Sequence, residues 1–219
     1  MNAISITVGA TPVELSSLKA IYLPTFHCLV VADVHLGKAE HFQKNNIALS
    51  NEAHDVDYAR LTLLINQYHP KRVIFLGDLF HSKKNSSTQQ FKIFRQQFTC
   101  SFELVEGNHD IMDASVYKTL DIAIIGEQLI LDNLLLTHEP LDRVEEGMCN
   151  VFGHIHPGFS LRGKGLQSLS LPCFAVTHNQ LYMPAFGTLT GLYKLRLKAG
   201  DIYVIVGDAI AHVPLTAKV

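Results

Sequence analysis

Aspartate, histidine and asparagine gather in five short segments: Asp33-Val34-His35, Gly77-Asp78, Gly107-Asn108-His109-Asp110, Thr137-His138 and Gly153-His154-Ile155-His156. Together they offer seven oxygen and nitrogen donors for metal ions: Asp33, His35, Asp78, Asn108, His138, His154 and His156. No cysteine joins the set, which favours manganese, iron or zinc in a hydrolytic centre over a thiolate-held structural zinc. Two such ions about 3.5–4 Å apart can lower the pKa of a water and neutralise phosphate oxygens, which is the chemistry of phosphoester hydrolysis. Ions that close repel, so a bridging carboxylate is expected between them, and Asp78 is the choice. Taken singly, each residue has a plainer reading: an Asp that ends a strand is usually a turn or cap residue. The joint pattern is what carries the expectation of a metal centre.

Such groups must be positioned by regular elements. Cys28 to Ala32, Arg72 to Leu76 and Phe102 to Val105 are short apolar runs, as in buried strands, and they lead into Asp33, Gly77-Asp78 and the Gly107 loop. Asn51 to Tyr68 has helical spacing, with Val56, Leu61, Leu64, Ile65 and Tyr68 assigned to one face and Pro70 beyond its end. Ser86 to Phe98 has the same character, with Phe91, Phe94 and Phe98 as a core stripe. The β-α-β-α-β rhythm predicts one sheet with connecting helices. Carboxyl ends of strands in such a sheet share one rim, where binding groups collect.

Before this run, Ile4 to Leu15 predicts a hairpin turning at Gly9-Ala10-Thr11-Pro12, and Lys19 to Leu23 a further strand. The second half predicts closely spaced strands at Ile122–Ile125, Gln128–Leu131, Leu134–Thr137 and Cys149–Phe152. Further short strands follow at Gly158–Leu161, Ser168–Leu171, Ala175–Thr177, Leu181–Met183, Leu192–Leu197, Ile202–Val206 and Ala209–Val213. They are expected to form a second sheet packed on the first. Spacing 33/35 and 154/156 suits extended backbone, where residues i and i+2 share a side.

The chain has 219 residues, 47% hydrophobic and 17% charged, enough to bury a large core without disulfides, and is expected to be a single domain over 1–219. A net charge of −2 gives no global basic footprint, so any contact with nucleic acid must be local. Lys83-Lys84 is most simply part of a solvated loop, but it could also touch such a backbone, as could Arg162 and Lys164. Cys28, Cys100, Cys149 and Cys173 are scattered, as in buried reduced thiols. With no secretory leader or transmembrane run, the expected location is cytoplasmic, with no membrane partner.

The five segments, in this order over positions 33 to 156, resemble the calcineurin-like metallophosphoesterase superfamily. That resemblance implies a four-layer αββα sandwich of two mixed β-sheets flanked by helices. It implies that Asp33, His35, Asp78 and His156 hold one metal, and Asp78, Asn108, His138 and His154 the other. Many members continue the second segment as GDxxDR; here it reads Gly77-Asp78-Leu79-Phe80-His81, without the arginine.

Longer strings resemble a narrower branch, the ligase-associated DNA damage response endonucleases. They include Ala32-Asp33-Val34-His35-Leu36-Gly37-Lys38-Ala39, Thr137-His138-Glu139-Pro140, Leu171-Pro172-Cys173-Phe174 and Pro184-Ala185-Phe186-Gly187. Gln43 and Glu106 stand where arginine is usual in that branch. The branch implies manganese-dependent phosphodiesterase or endonuclease activity in DNA repair, with an ATP-dependent DNA ligase and a helicase as associates.

The expected reaction is therefore two-metal phosphoester hydrolysis with nucleic acid as substrate. His109, beside Asn108, is the expected catalytic acid that protonates the leaving alkoxide, and Asp110 is expected to orient it. His41 and His81 could line the site, or equally stand at its rim or behind its ligands. The competing readings are a small-molecule phosphomonoesterase or nucleotidase, and a non-catalytic scaffold of the same fold.

Overall fold

The computed structural model describes residues 2–38, 52–81, 86–162 and 168–215. His41, Gln43, the Lys83-Lys84 pair and Lys164 lie outside the described residues, as does the side chain of Arg162.

The first sheet follows chain order: β1 (Ala3–Val8), β2 (Thr11–Ser16), β3 (Ala20–Leu23), β4 (Cys28–Ala32), β5 (Arg72–Leu76), β6 (Ser101–Val105) and β7 (Ile122–Gly126). Pairing is antiparallel from β1 to β4 and parallel from β4 to β7. The parallel steps are bridged by helices α1 (Glu52–Tyr68), α2 (Ser86–Arg95) and α3 (Ala114–Thr119). The second sheet contains β8 (Gln128–Leu131), β9 (Leu134–Thr137), β10 (Cys149–Phe152), β11 (Pro157–Arg162), β12 (Ser168–Val176), β13 (Gln180–Tyr182), β14 (Tyr193–Lys194), β15 (Gly200–Val206) and β16 (Ala209–Leu215). It too is mixed: β9, β10 and β13 run parallel, and most other pairs are antiparallel.

Both faces of the central strands are buried, and their side chains divide with period two. Val30 and Ala32 of β4, with Ile74 and Leu76 of β5, face the second sheet and pack in one core with Leu134, Leu136, Val151 and Phe174. Leu29, Val31, Val73 and Phe75 face the helices and pack with Leu61, Leu64, Phe91, Phe94 and Tyr117. The phenylalanine stripe of α2 is core, as expected: Phe91 and Phe94 lie edge-on or tilted against Phe75 and Phe102, with ring centroids 6.1–6.3 Å apart. All three described helices cover the outer face of the first sheet. The outer face of the second sheet carries a smaller core of Cys173, Ala175, Ile202 and Val204, with Leu195 and Leu197 against it.

Several expectations need adjustment. Val56 is 51% exposed, so the buried face of α1 starts later, at Asp57 and Leu61. The helix predicted to Phe98 ends at Arg95. Two predicted strands merge into β12, which runs through Pro172. The strand expected over 192–197 shrinks to Tyr193–Lys194 because the leucines beyond it serve as cover for the small core. Helix α3 has no counterpart among the expectations. The four cysteines are free and buried. Among the described residues, no helix is long and apolar enough to cross a membrane.

One buried polar linkage ties the halves of the chain together. Asp57 on α1, 3% exposed, accepts from the Thr188 backbone N–H (3.1 Å) and hydroxyl (2.7 Å) and pairs with Arg60 at 2.5 Å. Arg60 also donates to the Phe186 carbonyl and lies over the Phe186 ring, 4.3 Å from its centroid. The segment so held pairs with the end of β4: Phe186 N–H donates to the Ala32 carbonyl (2.8 Å) and Gly187 N–H to that of Asp33 (3.0 Å). Removing one partner of a buried pair strands the other charge. Asp57→Ala is expected to lower unfolding free energy by about 3 kcal/mol in urea titration; a loss below about 0.5 kcal/mol would show the linkage is dispensable.

Candidate metal centre

The strands β4, β5, β6, β9 and β10 bring their carboxyl ends to one rim, and the five polar segments emerge there. The chain leaves these strands in an unusual way. Asp33, His35, Asp78, His154 and His156 have φ of 54°, 52°, 51°, 61° and 52°. These are left-handed conformations, which cost a residue with a Cβ roughly 1–2 kcal/mol. The 33/35 and 154/156 pairs therefore do not converge as extended backbone, as the spacing suggested. Left-handed turns aim them instead.

Backbone contacts hold those turns. Asp33 N–H donates to the Gly77 carbonyl (3.3 Å), His35 N–H to that of Asp78 (2.9 Å) and Leu36 N–H to that of Leu79 (2.9 Å), which continues the β4–β5 pairing beyond the sheet. Close packing at two glycines also sets the geometry. A Cβ on Gly77, itself at φ 67°, would run into the His138 ring. One on Gly153 would come within 2.5 Å of Asp33 Oδ2. Both positions need glycine so that loop and side chain can touch.

All seven sequence-identified donors meet in one cluster. Asp33 Oδ1 lies 3.3 Å from His156 Nε2. Asp78 Oδ2 lies 3.6 Å from His35 Nε2, while its Oδ1 lies 3.4 Å from His138 Nε2. His138 Nε2 is also 3.1 Å from Asn108 Oδ1 and 3.2 Å from His154 Nδ1. The other nitrogen of His138, Nδ1, sits 3.0 Å from the Leu76 carbonyl. A carbonyl only accepts, so Nδ1 carries the proton and Nε2 presents its lone pair to the cluster. Two overlapping groups, Asp33/His35/His156 and Asp33/Asp78/His138, have ligand atoms within 4.8 Å of one another and could each hold a metal ion.

The polar bookkeeping fits a cation. Asp33 is fully buried; its Oδ2 accepts from His154 N–H at 2.9 Å, but among the described residues Oδ1 has no hydrogen-bond donor. Neither ring nitrogen of buried His35 has a hydrogen-bond partner there. Leaving such groups unsatisfied costs about 1–3 kcal/mol each, a cost that a coordinated ion would remove. Burial, aided by Lys38 and the imidazoles of His156, His81 and His109, depresses His35 to about 2. It is thus neutral near pH 7, the form that ligates.

His109 is exposed above this cluster, its ring 5.9 Å from that of His35 and stacked at 6.0 Å on His81. His81 is itself 5.6 Å from His35, so it belongs to the imidazole group lining the site. Asp110 does not orient His109. Its carboxylate turns inward and accepts from the backbone N–H groups of Asp78 (2.7 Å), Leu79 (3.1 Å) and Gly107 (3.0 Å) and from the Tyr117 hydroxyl (3.3 Å). It fastens the Asn108 loop to the Asp78 loop. Burial pushes Asp110 up to about 6, against the pull of those backbone donors.

Sequence reasoning missed the supports. Asp57 and Arg60 stand on the buried side of an otherwise apolar helix face, which was the available signal. Tyr117 belongs to a helix too short to show a period.

The model of one family, described as calcineurin-like phosphoesterase, matches residues 26–207. No curated protein matches the chain. Among solved structures, the chain is similar to nuclease MPE of Pseudomonas putida: TM-score 0.80 and 30% identity over 93% of this chain and 97% of that one. A looser likeness is to Yfce, a phosphoesterase from E. coli: TM-score 0.45 and 17% identity over 86% of this chain and 99% of that one. The match over most of its length, on a two-sheet α/β sandwich with this polar rim, makes the chain a member of the calcineurin-like phosphoesterase family.

Proposed function

We propose that this protein is a two-metal phosphodiesterase that cleaves nucleic acid, with manganese the best suited of the ions its donors favour. The observation that carries the reading is the cluster of Asp33, Asp78, His35, His138 and His156, in which buried Asp33 Oδ1 and both ring nitrogens of His35 have no hydrogen-bond partner among the described residues. Similarity to a nuclease over nearly the whole length supports the diester class. In this reading Asp33, His35, Asp78 and His156 hold one ion, and Asp78, Asn108, His138 and His154 hold the other. Asp78, whose two oxygens point at His35 and His138, is the shared ligand. Bound ions would supply Lewis-acid activation of water and neutralise charge on the phosphate.

The residues of the chain do the rest. His138 keeps its proton on Nδ1 through the Leu76 carbonyl, which fixes the ring for ligation through Nε2. The Asp110 anchor sets the distance between the Asn108 and Asp78 loops. His109, exposed on the substrate side, donates a proton to the leaving oxygen. A role in DNA repair beside a DNA ligase and a helicase belongs to the same proposal and rests on the sequence resemblance.

The defining assay compares bis-p-nitrophenyl phosphate, p-nitrophenyl phosphate, single-stranded DNA, duplex DNA and RNA, with Mn²⁺ and with EDTA. Diester and nucleic-acid cleavage that EDTA abolishes is expected; a strong preference for the monoester would replace the proposal with a phosphomonoesterase. His109→Ala is expected to lower kcat on a diester about 100-fold, with metal content by elemental analysis unchanged. Metal loss in that variant would place His109 among the ligands instead.

The state of His35 predicts a pH dependence. In the unfolded chain a histidine takes up a proton near pH 6.5, whereas folded His35 stays neutral down to about 2. The unfolded state then binds more protons, so stability is lost as pH falls through 6.5 towards 2. Metal-free protein should therefore lose more stability between pH 7 and pH 5 than its His35→Asn variant. Equal losses in urea titrations at the two pH values would contradict this.

A further inference from the structure

Beside the metal cluster lies a cavity of about 550 Å³, walled by the connections after β6, between β7 and β8, and after β9. Asn108 and His138 belong to both the cavity and the cluster. A group attached to a phosphate held at the cluster therefore has this space to enter. The cavity is built, not incidental. Fully buried Asn150 accepts from Leu141 N–H (2.9 Å) and donates to the Leu135 carbonyl (2.9 Å) and the Thr137 hydroxyl (2.8 Å), which fixes one wall. Glu106 N–H donates to the Gly126 carbonyl at 2.9 Å and joins the other two connections.

Its size falls within the range of pockets for one small ligand. Its charge is one-sided: Glu106, Glu127 and Glu139 line it, and among the described residues neither lysine nor arginine does. A continuing nucleic-acid backbone would bring a second phosphate against those carboxylates. A nucleobase is a better match, since its amino groups donate to carboxylate oxygens. We infer that this cavity seats a single nucleoside next to the scissile phosphate, and that Glu106, Glu127 and Glu139 turn away a further backbone phosphate on that side. The inference rests on the diesterase reading. It narrows the substrate to strands that end, or bend away, one nucleoside beyond the cut on this side.

The test uses the full chain with Mn²⁺ and a triple variant, Glu106→Gln, Glu127→Gln and Glu139→Gln. All three side chains are exposed, so the fold should tolerate the exchange. The readout is the ratio of kcat/KM on a single-stranded DNA oligonucleotide to kcat/KM on bis-p-nitrophenyl phosphate, which has no second phosphate. At low salt the variant should raise this ratio about tenfold, mainly through KM, and high salt should erase most of the gain. In the unaltered protein, a neutral methylphosphonate next to the scissile phosphate on one side should speed cleavage, and in the variant that advantage should vanish. An unchanged or lower ratio in the variant would overturn the inference while leaving the diesterase reading intact. Failure of the unaltered protein to cleave bis-p-nitrophenyl phosphate at all would overturn the reading beneath it.

Discussion

Asp33 and Asp78 lie at the ends of adjacent parallel strands, with 0% and 3% of their surface exposed and ligand oxygens within 4.8 Å. Two carboxylates so close repel by about 3 kcal/mol even at an effective dielectric of about 20. Much of the surrounding architecture answers that conflict. His154 and His109 donate backbone N–H groups to them, at 2.9 and 3.0 Å. Asp110 and the Gly77–Leu79 carbonyls lock the loops that carry them. Five residues of the cluster tolerate left-handed backbone. Positive charge between the carboxylates would relieve what repulsion remains, so the donor set and the fold make sense together.

The strands that frame the site were legible because both their faces are buried. Cys28-Leu29-Val30-Val31-Ala32 and Arg72-Val73-Ile74-Phe75-Leu76 are unbroken apolar runs that stop where the polar groups start, and the strands have those bounds. The convergence of the seven donors was legible for the same reason, since parallel strands end on a common rim. The manner of convergence was not. No pattern in an Asp-x-His or His-x-His string announces positive φ: Asp and His enter that region more often than most side chains, yet still in a minority of cases, and here their neighbours compel it.

Asp110 shows a second limit. It follows His109 directly, and adjacency suggested partnership; in a tight loop, neighbouring side chains diverge, one to the surface and one to the interior. The Asp57–Arg60–Thr188 linkage joins positions 131 residues apart, and a single chain carries no local trace of such a pairing. The strands expected over Ser168–Leu171 and Ala175–Thr177 are one, because β11 pairs with the first stretch of β12, and β13 and β15 with its last.

The His154 N–H that reaches Asp33 crosses 121 positions of sequence and two different sheets. Neither sheet can complete the pocket alone, so the ligand sphere closes only once the sandwich has docked. Such long-range closure is slow relative to local hairpins and helices. A cation arriving in the cell would thus meet a competent binding site only on finished molecules, and its capture would act as a ratchet on the last step of maturation.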